Sequence, residues 1–170
     1  MREMEDLSNE ILSVMQNPER YGLEGSINLY RLPDATYIEL TSEGFIQICG
    51  VGEAKSGNID NRFKSQVDNY QKSIETTAKG LSKIRHPKRL RNLGLNNLAN
   101  RMEQSGMEGA SNFVRSLPKL KITLIVPQDK IIEEDWVEDV VDNILYSSFT
   151  TFEIDAVTNW VLKKIQENES

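Results

Sequence analysis

Apolar residues recur along this chain at two periods, one typical of strands and one typical of helices. Runs typical of strands lie at 26–32, 35–40, 45–55 and 119–127, with a short one at 146–149. Runs with helical spacing lie at 3–16, 60–84 and 136–145, and a capping box at Thr150 and Glu153 predicts a closing helix. This order of elements predicts an α/β fold in which helices cover both faces of a small mixed sheet.

The run at 45–55 alternates most strictly. Regular pleating would put Phe45, Gln47, Cys49, Val51, Glu53 and Lys55 on one face, and Ile46, Ile48, Gly50, Gly52 and Ala54 on the other. The strand therefore ends in a carboxylate and an ammonium group that share a face. Because burying either charge alone is costly or shifts its pKa strongly, the pair indicates a function. The two glycines indicate close approach by another backbone or helix.

A second carboxylate, Asp34, follows Pro33 at the start of the preceding strand. The turn-like segment 41–44 predicts that the two strands form a hairpin, which would bring Asp34 toward Glu53. Two carboxylates and a lysine at adjoining strand ends are the groups needed to hold a divalent metal ion and to activate a water molecule. Because Pro-Asp also opens turns, a purely structural role for Asp34 is the alternative.

The predicted helix at 60–84 adds Gln66 and Tyr70, which share one face with Arg62. The ordered set of Pro33-Asp34, Glu53-Ala54-Lys55 and Gln66-Val67-Asp68-Asn69-Tyr70 resembles the PD-(D/E)XK, or restriction-endonuclease-like, nuclease superfamily. Its last part is similar to the QxxxY signature of the RecB-like branch. The resemblance covers residues 26–75 by motif and the rest of the chain only by element order.

The resemblance implies a restriction-endonuclease-like fold and a Mg²⁺-dependent deoxyribonuclease, with Mn²⁺ as a substitute ion. A metal-activated water would hydrolyse phosphodiester bonds in DNA, and the motif does not distinguish an endonuclease from an exonuclease. Asp34, Glu53 and the main-chain carbonyl of Ala54 would bind the metal. Lys55 would orient the water or stabilise the developing charge.

The helix residues have roles implied in the same way. Gln66 would position groups in the catalytic site, and Tyr70 would buttress it or contact the nucleic-acid strand. A polar pair at a helix–sheet interface is the alternative for both. Arg62 would clamp a phosphate, or else form a surface salt bridge. In relatives of this fold a carboxylate of the first helix sometimes supports the metal site, which makes Glu10, and similarly Glu24, a candidate.

The positive charges are concentrated, although the net charge of the chain is -6. The segment 79–101 contains no acidic residue and seven basic ones, namely Lys79, Lys83, Arg85, Lys88, Arg89, Arg91 and Arg101. We interpret residues 79–112 as a basic helical insertion that binds backbone phosphates, mainly through Lys83, Arg85, Lys88, Arg89 and Arg91. A solvated basic helix pair is the alternative, and His86 is predicted to be a surface residue.

Length and composition favour one domain spanning residues 1–170, with a frayed tail at 166–170. No apolar run approaches the length of a membrane span, and the chain does not begin with a secretory signal. The single cysteine, Cys49, excludes an internal disulfide and is predicted to lie in the core. These features predict a cytoplasmic protein without a membrane partner.

Two hypotheses of other classes remain beside the nuclease. The chain would be a non-catalytic nucleic-acid-binding or assembly module that retains the nuclease fold, or a protein-interaction domain whose basic face binds an acidic partner. DNA is the expected partner of a nuclease and of a nucleic-acid-binding module. A homodimer or a larger complex fits all three hypotheses.

Overall fold

The computed structural model describes residues 2–23 and 33–150, together with residues 163, 164 and 167. Helices α1 (Arg2–Gln16), α2 (Asn61–Leu81), α3 (Pro87–Asn92), α4 (Asn96–Gln104) and α5 (Val137–Val140) accompany strands β1 (Ala35–Leu40), β2 (Ile46–Ala54), β3 (Val114–Val126) and β4 (Asn143–Tyr146). A 3-10 helix (Pro18–Tyr21) follows α1. The predicted strand at 26–32, Glu24 and, apart from residues 163, 164 and 167, the closing helix and the frayed tail lie outside the described residues.

The strands form a four-stranded mixed sheet in the order β1-β2-β3-β4. Strands β1 and β2 are antiparallel and joined by the predicted hairpin, whose turn is closed by bonds between Thr41 and both Gly44 and Phe45. Strand β3 is parallel to β2, and β4 is parallel to β3. The connection from β2 to β3 consists of α2, α3 and α4, and the basic segment 79–101 extends from the last turn of α2 into α4. The α/β class with a small mixed sheet is confirmed.

One extra residue in β2 changes which side chains face the core. Tyr37 pairs with Gly50 and Ile38 pairs with Ile48, so Cys49 has no partner in β1 and forms a bulge. The predicted strict alternation is therefore wrong, because an inserted residue inverts the faces beyond it. The inner face is formed by Ile46, Ile48, Val51 and Glu53. Cys49, which was predicted to lie in the core, is half-buried, and its thiol donates a hydrogen bond to the carbonyl of Tyr37 at 3.2 Å.

Helices α1 and α2 both pack on this inner face and contact each other. Helix α1 lies over β1, where Thr36 Oγ1 donates to the carbonyl of Ser8 at 3.4 Å. Helix α2 packs on β3 and reaches β2 through the bond from Tyr70 to Glu53, and its Phe63, Tyr70 and Ile74 are fully buried. The expectation of helices on both faces is not met by these helices, and the closing helix lies outside the described residues. No helix in the described part of the chain is long and apolar enough to cross a membrane.

The predicted close approach of another backbone is confirmed at Gly50, whereas Gly52 is approached by a side chain. A Cβ atom on Gly50 would lie 2.7 Å from the carbonyl oxygen of Lys121, which is backbone of the neighbouring strand. A Cβ atom on Gly52 would lie 2.8 Å from the hydroxyl of Tyr37. Gly50 therefore permits the tight contact between β2 and β3 beside the bulge.

The apolar run at 136–145 does not form the predicted helix. Helix α5 ends at Val140 because Val141 is extended, and residues 143–146 pair with β3 as strand β4. The main-chain N–H of Asp142 donates to the carbonyl of Ile122, and the Asp142 carboxylate accepts from the Ile122 N–H at 2.8 Å. Pairing with the open edge of β3 therefore overrides the helical spacing of this segment.

The first part of β3 has no neighbouring strand on the side away from β2 among the described residues, and side chains bind its backbone there. Gln71 accepts from the N–H of Leu120 at 2.9 Å and donates to the carbonyl of Leu117 at 3.3 Å. Ser82 donates to the carbonyl of Val114 at 2.8 Å. These contacts also fix α2 against the strand.

Glu10 joins α1 to α4. Its carboxylate accepts hydrogen bonds from the main-chain N–H groups of Asn97 and Leu98, both at 2.9 Å, and from the Asn97 side chain at 2.8 Å. These donors belong to the first turn of α4, where N–H groups lack helical acceptors. Both carboxylate oxygens are occupied by this cap. The expectation that Glu10 supports a metal site is therefore wrong.

We expect Glu10→Ala to lower the free energy of unfolding by about 1–3 kcal/mol, because it leaves half-buried N–H groups of α4 without acceptors. Urea unfolding followed by circular dichroism measures the change. Glu5→Ala, an exposed site on the same helix, is the control and should change the free energy by less than about 0.5 kcal/mol. Equal effects of the two substitutions would refute the capping role.

Candidate functional site

The hairpin brings Asp34 to the end of β2, as the sequence predicts. The main-chain N–H of Asp34 donates to the carbonyl of Gly52 at 3.0 Å, and the Asp34 carboxylate accepts from the N–H of Ala54 at 2.8 Å. The acid behind Pro33 is thus held beside Glu53-Ala54-Lys55 by one main-chain and one side-chain bond. The carboxylate of Asp34 is also close enough to Glu53 to affect its pKa.

Glu53 lies on the inner face of the sheet and is only 7 % exposed. The hydroxyl of Tyr70 donates to its Oε2 at 2.6 Å. The ammonium nitrogen of Lys55 lies 3.8 Å from its Oε1. Each oxygen of Glu53 therefore has a different neighbour, which fixes the orientation of the carboxylate.

The pKa of Glu53 is raised above its ordinary value, chiefly because burial disfavours the charged form. The negative charge of Asp34 raises it further. The hydrogen bond from Tyr70, the charge of Lys55 and the main-chain N–H of Asp34 act in the opposite direction. A cation near both carboxylates would favour the ionised form of Glu53, because opposite charge lowers the pKa of a carboxyl group.

The oxygen atoms that could bind a metal ion at this corner of the sheet belong to two carboxylates and a main-chain carbonyl. Because the N–H and C=O of an extended residue point the same way, the carbonyl of Ala54 is directed to the side on which its N–H meets Asp34. Among residues 2–23 and 33–150 no three Asp, Glu, His or Cys side chains form a group that could hold a metal. Two carboxylates with a carbonyl suit Mg²⁺, which takes oxygen ligands and keeps several waters.

The two residues of the QxxxY pattern have different surroundings. Tyr70 is 0 % exposed and bonded to Glu53, which favours the buttressing role over contact with the nucleic-acid strand. Gln66 lies one helical turn before Tyr70, is half-buried and makes no side-chain hydrogen bond with another described residue. The catalytic role of Gln66 stays a prediction.

Arg62 lies in the first turn of α2 with its side chain 79 % exposed. Its Nε is 3.9 Å from the carboxylate of Asp60, which also caps the helix by accepting from the Arg62 N–H at 2.9 Å. The salt-bridge alternative for Arg62 is therefore found. Its role as a phosphate clamp stays a prediction.

Some residues of the basic segment form ion pairs with acids, and others form none with a described residue. Arg91 is paired with Glu103 and bonded to Asn100 at 3.0 Å, and Arg101 lies 3.3 Å from Glu3. Arg91 is therefore paired with an acid outside the segment, and its role in substrate binding stays a prediction. The remaining predicted phosphate contacts are exposed and form no ion pair with another described residue; they are Lys83, Arg85, Lys88 and Arg89. His86 is exposed, as predicted.

The structure does not bring the start of the basic segment to the carboxylates. Ser82, at the end of α2, is bonded to Val114 at the start of β3, and Val114 pairs with Ile46. Glu53 pairs with Leu124 at the other end of the sheet. At about 3.3 Å per residue, the two ends are about 20 Å apart. Lys79 and Arg115 also lie at the basic end. The sequence could indicate this only for Lys79, which belongs to the basic segment 79–101.

Comparison of the chain with protein-family models, with curated proteins and with solved structures finds no match. The chemistry of the chain is therefore inferred from its residues and their geometry.

We expect Tyr70→Phe to raise the pKa of Glu53, because the lost hydrogen bond favours the ionised carboxylate. The pKa is measured from the pH dependence of the Glu53 side-chain carboxyl signal by NMR. Tyr37→Phe removes a hydroxyl that lies against Gly52, and it should leave that pKa unchanged. An unchanged or lower pKa in Tyr70→Phe would contradict the assignment.

Glu53→Gln should stabilise the protein at neutral pH. A carboxyl group whose pKa is raised by folding stabilises the native state below its ordinary pKa, and this stabilisation is lost as pH rises through the raised value. The gain in melting temperature should therefore be present at neutral pH and should fall away in acid below the ordinary range of glutamate. Glu43→Gln, in the exposed turn, should show no such dependence. A gain that increases in acid would contradict this prediction.

Proposed function

We propose that this protein is a metal-dependent nuclease that hydrolyses phosphodiester bonds of DNA with an activated water molecule. The convergence of Asp34 with Glu53-Ala54-Lys55 at one corner of the sheet supports the proposal. We also propose a restriction-endonuclease-like fold. Its support is the order of an antiparallel hairpin, a long helix and a parallel third strand.

Asp34, Glu53 and the carbonyl of Ala54 would hold the metal, and Mg²⁺ or Mn²⁺ bound there would lower the pKa of a water and offset charge on the phosphate. The burial of Glu53 supports this assignment. A carboxylate in that position is costly to ionise alone, and its raised pKa reflects that cost. Two acidic groups kept close together increase the cost further, which is a common arrangement at functional sites.

Lys55 would donate a hydrogen bond to the attacking water or to a non-bridging phosphate oxygen. Its nitrogen lies 3.8 Å from Oε1 of Glu53, longer than a direct hydrogen bond. Its N–H groups are therefore not used up by the carboxylate. An ammonium group held beside the reacting phosphate stabilises the negative charge that develops in the transition state.

Tyr70 would act through Glu53 as a positioning residue. Its bond to Oε2 holds one oxygen of the carboxylate and leaves the other directed toward Lys55. A buried partner with no access to solvent is suited to this role, because it restricts the motion of the group it holds. Gln66, one turn nearer to the end of β2, would supply a further polar contact to the reacting groups.

The proposal is tested by incubating the purified protein with single-stranded and duplex DNA in Mg²⁺ or Mn²⁺. We expect cleavage that stops when the metal is chelated. Lys55→Ala should lower kcat by about 10²–10³-fold, and Asp34→Ala and Glu53→Ala should lower it at least as much. Glu43→Ala is the matched control on the exposed turn and should be fully active.

The variants should have the circular dichroism spectrum of the wild type, so that loss of activity is not loss of fold. RNA of the same sequence is included as a second substrate. Absence of cleavage of either nucleic acid with both metals would refute the proposal, and so would full activity of Glu53→Ala.

The exposed cations of the basic segment favour a second candidate, a nucleic-acid-binding module without catalysis. Lys83, Arg85, Lys88 and Arg89 form no ion pair with another described residue, and Lys83 and Arg85 lie at the opposite end of the sheet from the carboxylates. This candidate differs in its outcome: DNA would bind without metal, no substrate would be cleaved, and Lys55→Ala would have no effect on binding.

A further inference from the structure

A groove of about 420 Å³ lies at the basic end of the sheet, between the last turns of α2 and the start of β3. Its lining includes Lys79, Ser82, Lys83, Arg85 and Arg115. The hydroxyl of Ser82 is bonded to Val114 and to Ala78, so it fixes the groove floor. We call this feature the basic groove.

The charges of the basic groove are largely uncompensated. Lys79, Lys83 and Arg85 are exposed and form no ion pair with another residue in the described part of the chain. Glu75 is the one acidic residue of the lining, and its carboxylate accepts a hydrogen bond from Gln71 at 2.7 Å. Three cations around one concave surface raise the local concentration of anions.

Arg115 is a fourth cation of the lining. Its guanidinium carbon lies 4.0 Å from the centroid of the Phe45 ring. An aromatic face attracts the charge but does not accept the N–H groups in the plane of the guanidinium. Among the described residues, the Nε of Arg115 is the buried side-chain nitrogen or oxygen atom that has no hydrogen-bond partner. The described part of the fold therefore places Arg115 in the groove lining without an acceptor for its Nε.

We infer that the basic groove binds a backbone phosphate of the nucleic-acid strand that is hydrolysed at Asp34 and Glu53. This inference rests on the proposed function. The two places are about 20 Å apart along β2 and β3, and successive phosphates of one strand follow at about 3.4 Å along a helix. In a duplex, about six nucleotides of one strand therefore separate the two contacts. Duplex substrates shorter than this reach only one of them.

The binding test uses fluorescein-labelled DNA of about 4 and about 15 nucleotides, single-stranded and duplex, in the presence of a chelator so that no hydrolysis occurs. Lys83→Ala/Arg85→Ala removes one lysine and one arginine from the groove. Its matched control, Arg2→Ala/Lys72→Ala, removes the same charges from exposed positions on α1 and α2 outside the groove. All four positions are exposed, so both variants are expected to melt at the temperature of the wild type.

We expect the groove variant to bind the long oligonucleotide at least about tenfold more weakly, with a smaller dependence of the binding constant on salt. The control variant should lose less than about threefold. With the metal chelated, the groove is the phosphate contact for both oligonucleotides, so the groove variant should weaken binding of the short one as well. Equal losses in the two variants would overturn the inference.

A cleavage series separates this inference from the proposed function. With Mg²⁺, the KM of the wild type should fall steeply once the substrate exceeds about six nucleotides, and Lys83→Ala/Arg85→Ala should abolish that fall with little change in kcat. Groove-dependent binding without any cleavage would refute the catalytic proposal and leave the phosphate site. Cleavage that needs Glu53 but shows no length dependence would refute the phosphate site alone.

Discussion

The bulge at Cys49 is the constraint on which the candidate site depends. Without the extra residue, the faces of β2 beyond it would be inverted, and Glu53 would point away from α2. With it, Glu53 continues the inner face begun by Ile46 and Ile48 and meets the hydroxyl of Tyr70. Gly50 is required at the same place, because the backbone of Lys121 comes too close for any larger residue. A local irregularity of one strand thus determines where the carboxylate lies.

The sheet has two chemically different ends. At the end of β2, Asp34 and Glu53 are held close together by hydrogen bonds, and the pKa of Glu53 is raised because the group is buried. At the start of β3, the cations of the basic groove have few acidic neighbours. Separation by about 20 Å prevents the two sets of charges from neutralising each other, because screening at physiological salt acts over about 8 Å. Each set keeps its capacity for an external ligand.

Short-range relations in this chain could be predicted from the sequence, and long-range ones could not. The length of the turn at 41–44 was enough to predict the hairpin and the meeting of Asp34 with Glu53. The bulge could not be predicted, because the residues at 45–55 are compatible with a regular alternation and nothing in that pattern indicates that Cys49 has no partner. The neutralisation of Arg91 depends on Glu103, which lies beyond the basic segment and meets it only after α3 and α4 fold together. The pairing of 143–146 with β3 likewise required the sheet edge as a partner.

The side chains that bind the backbone of β3 have a consequence for the behaviour of the protein at high concentration. The unpaired N–H and C=O groups of an uncovered strand edge can pair with the same edge of a second molecule, which is a route to fibrous aggregates. Ser82, Gln71 and Asp142 occupy backbone groups of β3 at Val114, at Leu117 and Leu120, and at Ile122. Such an edge offers few free partners to an incoming strand. The polar residues that fasten α2 and the β4 connection to the sheet thereby also protect the protein from self-association through β3.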